Sequence, residues 1–371
     1  MLEQIENLLT RNYKPLNILE ISKKRLISNY NYLNSFGLKI APVLKSNGYG
    51  HGLTQIASVL DALDPPFFCV DSLYEAYELY KANISTPILV MGYVSPESLH
   101  TKHLPFSFAL YTKKQLRALK EYQPKSKIHL FIDTGMHREG FLFEELGDIL
   151  SDIKKSGIYL EGIMSHFAES ENPTKKLTQD QNERFGQAVA VIKKSFSPEY
   201  VHIANSSGIL KSGGLSNLGN VARAGISLYG IDPSFKNTFL KPVLEFKTRI
   251  AQIKTIKKGE CVGYNFTYKA QKKISLAILP AGYNDGVERK LSNKGFVKVK
   301  GILCPIVGRV SMNITTIDVT AVSNLREDDV VTVYSSDTND RNTIENASKI
   351  AGVIPYELLV HLHASTKRKV V

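Results

Sequence analysis

Between Lys39 and Gly230, short runs of β-branched and other apolar residues alternate with longer stretches whose apolar positions recur every three or four residues. The short runs predict strands and the longer stretches amphipathic helices; their alternation predicts repeated strand-helix units around a parallel sheet. Eight strand segments can be read: KIAPVLK, FFCVDS, PILVMG, FSFALY, KIHLFID, YLEGIMSHF, YVHIAN and VARAGISLYG. Eight parallel strands close a (β/α)8 TIM barrel. Helices are expected at Ser22 to Phe36, Leu53 to Leu63, Lys113 to Tyr122 and Leu177 to Lys194.

Beyond about residue 240 the texture changes to successive strands broken by turn residues, as in LEFKTRIAQIKTI, ISLAILPAG, GFVKVKGILCPIVGRV and NITTIDVT. This predicts a mostly antiparallel β domain, in which only TIENASKIAG at 343–352 reads as a helix. Pro233 and Pro242 flank a polar segment between the two textures, which divides the chain into a barrel domain, 1–238, and a β-rich domain, 239–371. The N-terminal MLEQIENLLTRNYKP carries glutamates among its apolar residues and has no basic start or cleavage site. It reads as a short amphipathic helix rather than a signal peptide, and is expected against the second domain.

Composition narrows the class. With 371 residues, 43% of them hydrophobic, the chain can bury a large core. Its apolar runs end well short of the roughly 20 residues a membrane helix needs. Cys69, Cys261 and Cys304 are odd in number and widely spaced, which points to a reducing cytoplasm and to no metal site. The net charge of +12 comes from scattered lysines with no basic stripe interleaved with aromatics, so it predicts attraction of small anions rather than nucleic-acid binding.

Working residues in such a barrel lie on the loops after the strand C-termini. There the first strand delivers Lys45 and Tyr49, and the segment after the fifth, DTGMHREGF, delivers Arg138. The sixth ends in Ser165-His166, the seventh in Asn205-Ser206-Ser207-Gly208, and the eighth carries Arg223 before Gly225 and Ile226. In VLKSNGYGHG the lysine precedes the glycines, the reverse of a Walker loop. Lys45 is therefore either a rim lysine in water or a lysine turned into the mouth, where poorer solvation would make it a usable nucleophile. Small residues and hydroxyls after the seventh and eighth strands suit a phosphate. A lysine facing a phosphate site suggests pyridoxal phosphate, with Arg223 against the pyridine nitrogen, keeping it unprotonated and the electron sink weak, as simple proton exchange requires.

These segments resemble the alanine racemase family. LKSNGYGHG is similar to its cofactor-lysine signature, DTGMHREGF to its arginine segment and SHFAES to its histidine strand. HIANSSG and VARAGISLYG resemble its phosphate and ring-nitrogen segments, and GYNFTY, PAGYNDGVERK, CPIVGRVSMNITTIDVT and IPYE follow in the family's order. The resemblance implies that Lys45 carries pyridoxal phosphate, that Tyr49, Ser206, Gly225, Ile226 and Tyr356 hold its phosphate, and that His166 and Asn205 are also cofactor-binding. It implies further that Arg223 faces the ring nitrogen and Arg138 the substrate carboxylate or a cofactor oxygen. Tyr264 would be the second base, with His166 and Arg289 tuning it, and Tyr283 and Met312 would line the entrance. Because the family completes each active site with this tyrosine from the other subunit, the resemblance implies a homodimer.

The implied activity is interconversion of L- and D-alanine for cell-wall precursors, with serine or broad-specificity racemisation as the nearest alternative. A fold-related amino-acid decarboxylase is disfavoured by the retained pair of bases. Two departures bear on specificity. Many family members carry a lysine where this chain has Phe131, and its carbamate positions the arginine; Phe131 cannot be carbamylated, so Arg138 needs another partner. The usual cysteine-methionine-aspartate at the entrance is Ser311-Met312-Asn313, which removes a charge. His51 and His137 read as satisfied polar residues, Cys304 as a packed strand residue, and the tyrosines from Tyr74 to Tyr80 as a packing face.

Overall fold

The computed structural model describes residues 14–211, 215–234 and 237–371; the expected N-terminal helix falls largely on 1–13, outside the described residues. Strand β1 (Ile18–Ile21) is the first among the described residues but does not join the barrel strands that come next in the chain. Two compact units result: Lys23–Pro242, and Val243–Val371 together with the described residues up to Ser22.

The first unit holds β2 (Lys39–Pro42), β3 (Phe68–Val70), β4 (Ile88–Val90), β5 (Ser107–Leu110), β6 (Lys127–Phe131), β7 (Tyr159–Met164), β8 (Tyr200–His202) and β9 (Val221–Ala224). Strands β3 to β8 lie parallel in chain order, and β2 pairs in parallel with β9. The ring closes where Val43 bridges Cys69 and where the Arg223 amide donates to the Ala204 carbonyl at 2.9 Å. This is the expected barrel, and its strands are short apolar runs because both faces are covered: every residue of β3, β4 and β5 is buried. Ile128 of β6 pairs with Leu160 of β7 but His129 pairs with Gly162, so Glu161 is the extra residue of a bulge.

Helices Lys23–Asn34, Leu53–Leu60, Lys113–Tyr122 and Lys176–Ile192 occupy the expected stretches. Thr112 starts the third of these, and Ser72 and Ser95 start two others, by accepting a first-turn amide on their hydroxyls. The tyrosine face is a correction: in helix Leu73–Lys81 the buried residues are Glu75, Ala76 and Leu79, while Tyr74 and Tyr80 are exposed. Side chains smaller than tyrosine fit against the barrel there, and Tyr77 and Tyr80 reach only the edge of Phe106.

In the second unit, β10 (Leu244–Arg249) pairs antiparallel with β1, and β11 (Gln252–Ile256) is followed by the small ribbon β12 (Cys261–Val262) and β13 (Tyr268–Lys269). Then come β14 (Ile274–Leu279), β15 (Phe296–Val299), β16 (Ile302–Pro305), β17 (Thr315–Asp318), β18 (Val330–Tyr334) and β19 (Lys367–Val370). One sheet runs β16-β15-β18-β10-β1-β19 and another β11-β14-β17, antiparallel except for the β1–β19 pair. Alternating burial in β10 and β17 matches sheets with one covered face. Cys304 is buried in β16, as expected. Besides the expected helix Ile344–Ala351 there is a second, Pro355–Val360, too short to show a period and started by its proline. No helix among the described residues is long and apolar enough to cross a membrane.

Candidate active site

Lys45 opens a turn in which Ser46, Asn47, Gly48 and Tyr49 all take left-handed backbone angles, with φ between 50° and 61°. Three of these are not glycine, so the turn needs support from outside. Asn47 Oδ1 accepts from the Leu53 amide at 2.9 Å, and the buried Glu75 carboxylate takes the Asn47 amide on one oxygen and the Asp71 amide on the other. His51 lies buried beneath, its ring stacked on Tyr229 and its Nδ1 2.8 Å from the Tyr49 carbonyl. His51 is thus a satisfied polar residue with a structural task. Lys45 Nζ meets Asp71 Oδ1 at 3.3 Å, with the two side chains 39% and 56% exposed. The amine is partly open and paired, nearer to the rim lysine of the two alternatives than to a desolvated one.

The ends of β8 and β9 form a small cradle. Asn205 caps helix Ser206–Leu210, its Oδ1 accepting from the Gly208 amide at 2.9 Å and from Ser170 Oγ at 2.6 Å. Its oxygen is therefore committed to the helix start. Ser206 Oγ accepts from the Gly225 and Ser227 amides at 3.1 and 3.2 Å. A Cβ on Gly225 would lie 2.6 Å from Tyr49 Oη, so the missing side chain is what lets that hydroxyl reach the cradle. With the Gly225 and Ser227 amides on Ser206 Oγ, a compact anion there would meet the Ile226 amide and the Ser206 and Tyr49 hydroxyls.

Arg223, 3% exposed, sits on β9 in register with Ala41 of β2. One terminal nitrogen donates to His202 Nδ1 at 2.5 Å and to the His202 carbonyl, the other to the Ser165 carbonyl at 2.6 Å and to His166 Nδ1 at 3.0 Å. Among the described residues no acceptor meets its Nε. Burial lowers Arg223 to about 10, which still leaves it charged. His166 is pushed down to about 3 by burial first and then by the charges of Arg223, Arg138 and Lys45, so it is neutral. Those same fields show that residues of the first, fifth, sixth and eighth strand ends share one mouth.

Arg138 is half exposed, and its Nε donates to Glu139 Oε2 at 3.2 Å. Phe131 is buried against Ala109, Met164, Met91 and Tyr111, giving the arginine an apolar floor. Burial and the Glu139 charge push the Tyr111 phenol up, which puts that carboxylate near the floor as well. Glu139 is thus the anion beside Arg138 in a chain with no lysine at 131. His137 pairs with Asp133 at 3.3 Å, in keeping with a satisfied polar residue.

Tyr264, Tyr283, Arg289, Met312 and Tyr356 all belong to the second unit. Tyr264 is 70% exposed on a tight turn, Tyr264–Phe266, whose Phe266 is also exposed. Asn293, just past the Arg289–Leu291 turn, donates to Thr267, which ties that turn to the Tyr264 turn. Arg289 itself is exposed. Tyr283 and Met312 are neighbours through backbone bonds from Tyr283 to Ser311 and from Asn284 to Met312, a closeness Gly282 permits, since a Cβ there would lie 2.2 Å from the Ser311 oxygen. Tyr356 is on helix Pro355–Val360.

Several residues escape a reading of strand ends alone: Asp71, Glu75, Glu139, and the buried His129, His202 and Glu161. Asp71 had a usable signal, an acid directly after the second strand. The histidines had none, being single polar residues inside apolar runs.

Family models for the alanine racemase N-terminal domain and C-terminal domain match residues 21–233 and 243–370. An alanine racemase of Syntrophobacter fumaroxidans is 35% identical over 87% of this chain and 88% of its own length, and one of Geobacter sulfurreducens is 36% identical over 87% of each. A solved alanine racemase of Clostridium difficile, 27% identical, superposes with a TM-score of 0.89 over 97% of both chains.

Proposed function

The chain belongs to the alanine racemase family, and from that premise we propose that it interconverts L- and D-alanine with pyridoxal phosphate, using Lys45 and Tyr264 as opposed bases. The observation that carries the reading is Arg223, whose terminal nitrogens are held by carbonyls and imidazoles while Nε has no acceptor among the described residues. A fixed cation with one donor to offer, between a lysine and an anion cradle, fits a phosphorylated pyridine aldehyde. When bound, that group supplies a conjugated ring able to accept the electron pair left as an α-proton departs.

Each residue then has a physical task. Ser206, Tyr49 and the amides of Gly225 and Ile226 would hold the phosphate, the Gly225 amide exchanging its bond to Ser206 Oγ for one to the anion, with Asn205 fixing the helix start behind them and Tyr356 contributing from the second unit. Arg223 donates to the ring nitrogen and keeps it unprotonated. Arg138, accompanied by Glu139, binds the substrate carboxylate; Met312 and Tyr283 line the way in. Lys45 Nζ moves the proton on one face and Tyr264 Oη on the other. His166, neutral and accepting from Arg223 at Nδ1, keeps its Nε2–H to donate to the phenolate, and Arg289 adds positive charge nearby, the support a phenol needs to act as base below its usual pKa of about 10.

Tyr264 is 70% and Phe266 75% exposed, which supports a homodimer in which a second copy's mouth covers them. The free cysteines support a reducing, cytoplasmic setting.

The test is to incubate the cofactor-loaded protein with each alanine enantiomer in heavy water and follow optical rotation and α-deuterium uptake. Racemisation with exchange from both sides is expected. Serine turned over clearly faster than alanine would move the reading to the broader racemase, and carbon dioxide without racemised product would end it.

A further inference from the structure

The barrel interior contains a buried polar chain that the reaction above leaves unused. From Arg223 it passes to His202 Nδ1; from His202 Nε2 to His129 Nδ1 at 2.7 Å; and from His129 Nε2 to Glu161 Oε2 at 3.2 Å. Both histidines have no exposed surface, and Glu161 is 5% exposed.

Arginine can only donate, so every proton along the chain is determined. His202 must be bare at Nδ1 and protonated at Nε2. His129 must then be bare at Nδ1 and protonated at Nε2, and Glu161 must accept. The charge states agree with this direction. Burial, then the charge of Arg223, drives His202 far down, and burial also lowers His129, so both rings are neutral. Despite burial, hydrogen bonds from His129, Lys127 and Ser107 bring Glu161 down to about 2. Lys127 Nζ lies 2.7 Å from Oε1 and Ser107 Oγ 2.5 Å from Oε2, so the carboxylate is fully engaged.

The backbone is shaped to hold this chain. Glu161 is the bulge residue of β7, which turns a carboxylate inward where a regular strand would not. Next to it, a Cβ on Gly162 would lie 2.5 Å from His129 Nδ1, so only glycine leaves room for the ring. Phe67 packs on both imidazoles, with centroids 5.1 and 5.5 Å away.

We infer that Glu161 is a positioning residue: it anchors a one-way hydrogen-bond relay through His129 and His202 that fixes Arg223 as a charged donor toward the cofactor's ring nitrogen. The inference rests on the reading of Arg223 proposed above. If His202 carried its proton on Nδ1 it would meet Arg223 donor to donor, so the arginine's state cannot change unless every bond in the chain reverses. Cooperative polarisation along the two neutral rings joins a negative end at Glu161 to a positive end at Arg223.

The test is nitrogen NMR of the full-length protein labelled at histidine, with and without pyridoxal phosphate, alongside steady-state kinetics. His129 and His202 should each show only the Nε2-protonated form from about pH 6 to pH 9; either ring protonated at Nδ1 overturns the relay. Glu161→Leu should lose both single-form signatures, shift the pH profile of the bound cofactor's absorbance and lower kcat roughly tenfold, as removal of outer-shell support does elsewhere. Glu161→Gln, whose amide oxygen still accepts, should restore the signatures and most of the rate. Unchanged signatures and rate in Glu161→Leu would remove Glu161 from the reaction. Should that variant not fold, Gly162→Ala crowds His129 without deleting a polar atom and gives the same readout. Fixed histidine forms in a wild-type protein that racemises nothing would instead overturn the proposed function and leave the relay standing.

Discussion

Arg223 in the barrel and Tyr264 in the second unit are both assigned to one reaction, yet one is 3% exposed and held on both nitrogens while the other is 70% exposed on a turn. The barrel mouth is organised by its own packing: bulge, glycine, cap and left-handed turn each have a local cause. Around Tyr264 the backbone is well tied, by Asn293 to Thr267 and by Tyr283 to Ser311, but the side chains are bare. The contrast teaches that half of the candidate chemistry is packed within one fold, while the other half lies exposed, where the proposed homodimer would cover it.

Changes on the two sides should therefore separate activity from stability. Lys45→Ala should have the largest effect, about a thousandfold or more in both directions; racemisation assays and the mass of the reduced cofactor adduct check it. Tyr264→Phe should lower kcat/KM about a hundredfold, equally in the two directions because the enantiomers have equal free energy, yet leave stability within about 0.5 kcal/mol because the hydroxyl has little around it in one chain. A large fall in its thermal midpoint would show that the exposed region is not merely waiting. Gly225→Ala places a carbon against Tyr49 Oη and should weaken cofactor affinity roughly tenfold, about 1.4 kcal/mol, measured by fluorescence titration.

Acid should act on the barrel. His166 goes from an ordinary 6.5 to about 3 and Glu161 from 4.5 to about 2 in the folded chain. In both cases the unfolded chain binds protons first, so stability falls as pH drops, from 6.5 through 3 for the histidine and from 4.5 through 2 for the carboxylate. A thermal midpoint that declines below pH 6.5, and declines less in His166→Asn, is the expected result. The smallest effect is at Glu139: Glu139→Leu should raise the KM for alanine about threefold with kcat nearly unchanged, the size of an exposed ion pair. Chloride that lowered that KM again would identify the lost charge as the cause.

How much was legible in the sequence followed the same divide. Lys45, His166, Arg138, Ser206 and Arg223 could be found because a parallel barrel gathers its strand ends, so position alone marks them. Glu161 could not, because a bulge changes which face a residue takes and leaves no local pattern. His129 and His202 are 73 residues apart and meet only across the barrel. β1 could not be assigned to the second unit either, since its partners Leu244–Arg249 and Lys367–Val370 lie far along the chain. At 131 the sequence indicated that a positive group had lost its usual companion; Glu139 already stood next to Arg138 in DTGMHREGF, but only the structure turns its carboxylate onto the arginine Nε.

The left-handed turn after Lys45 has a consequence for the order of folding. Ser46 and Tyr49 each bear roughly 1–2 kcal/mol of disfavour in that conformation, and Asn47 less, so a free chain seldom visits it. Its supports come from Glu75, which follows β3, and from the Asn47 side chain reaching Leu53. The turn can therefore close only after β3 and its helix have docked. Until then the lysine has no fixed direction, and a nascent chain that meets a reactive aldehyde offers it no better target than any other surface amine.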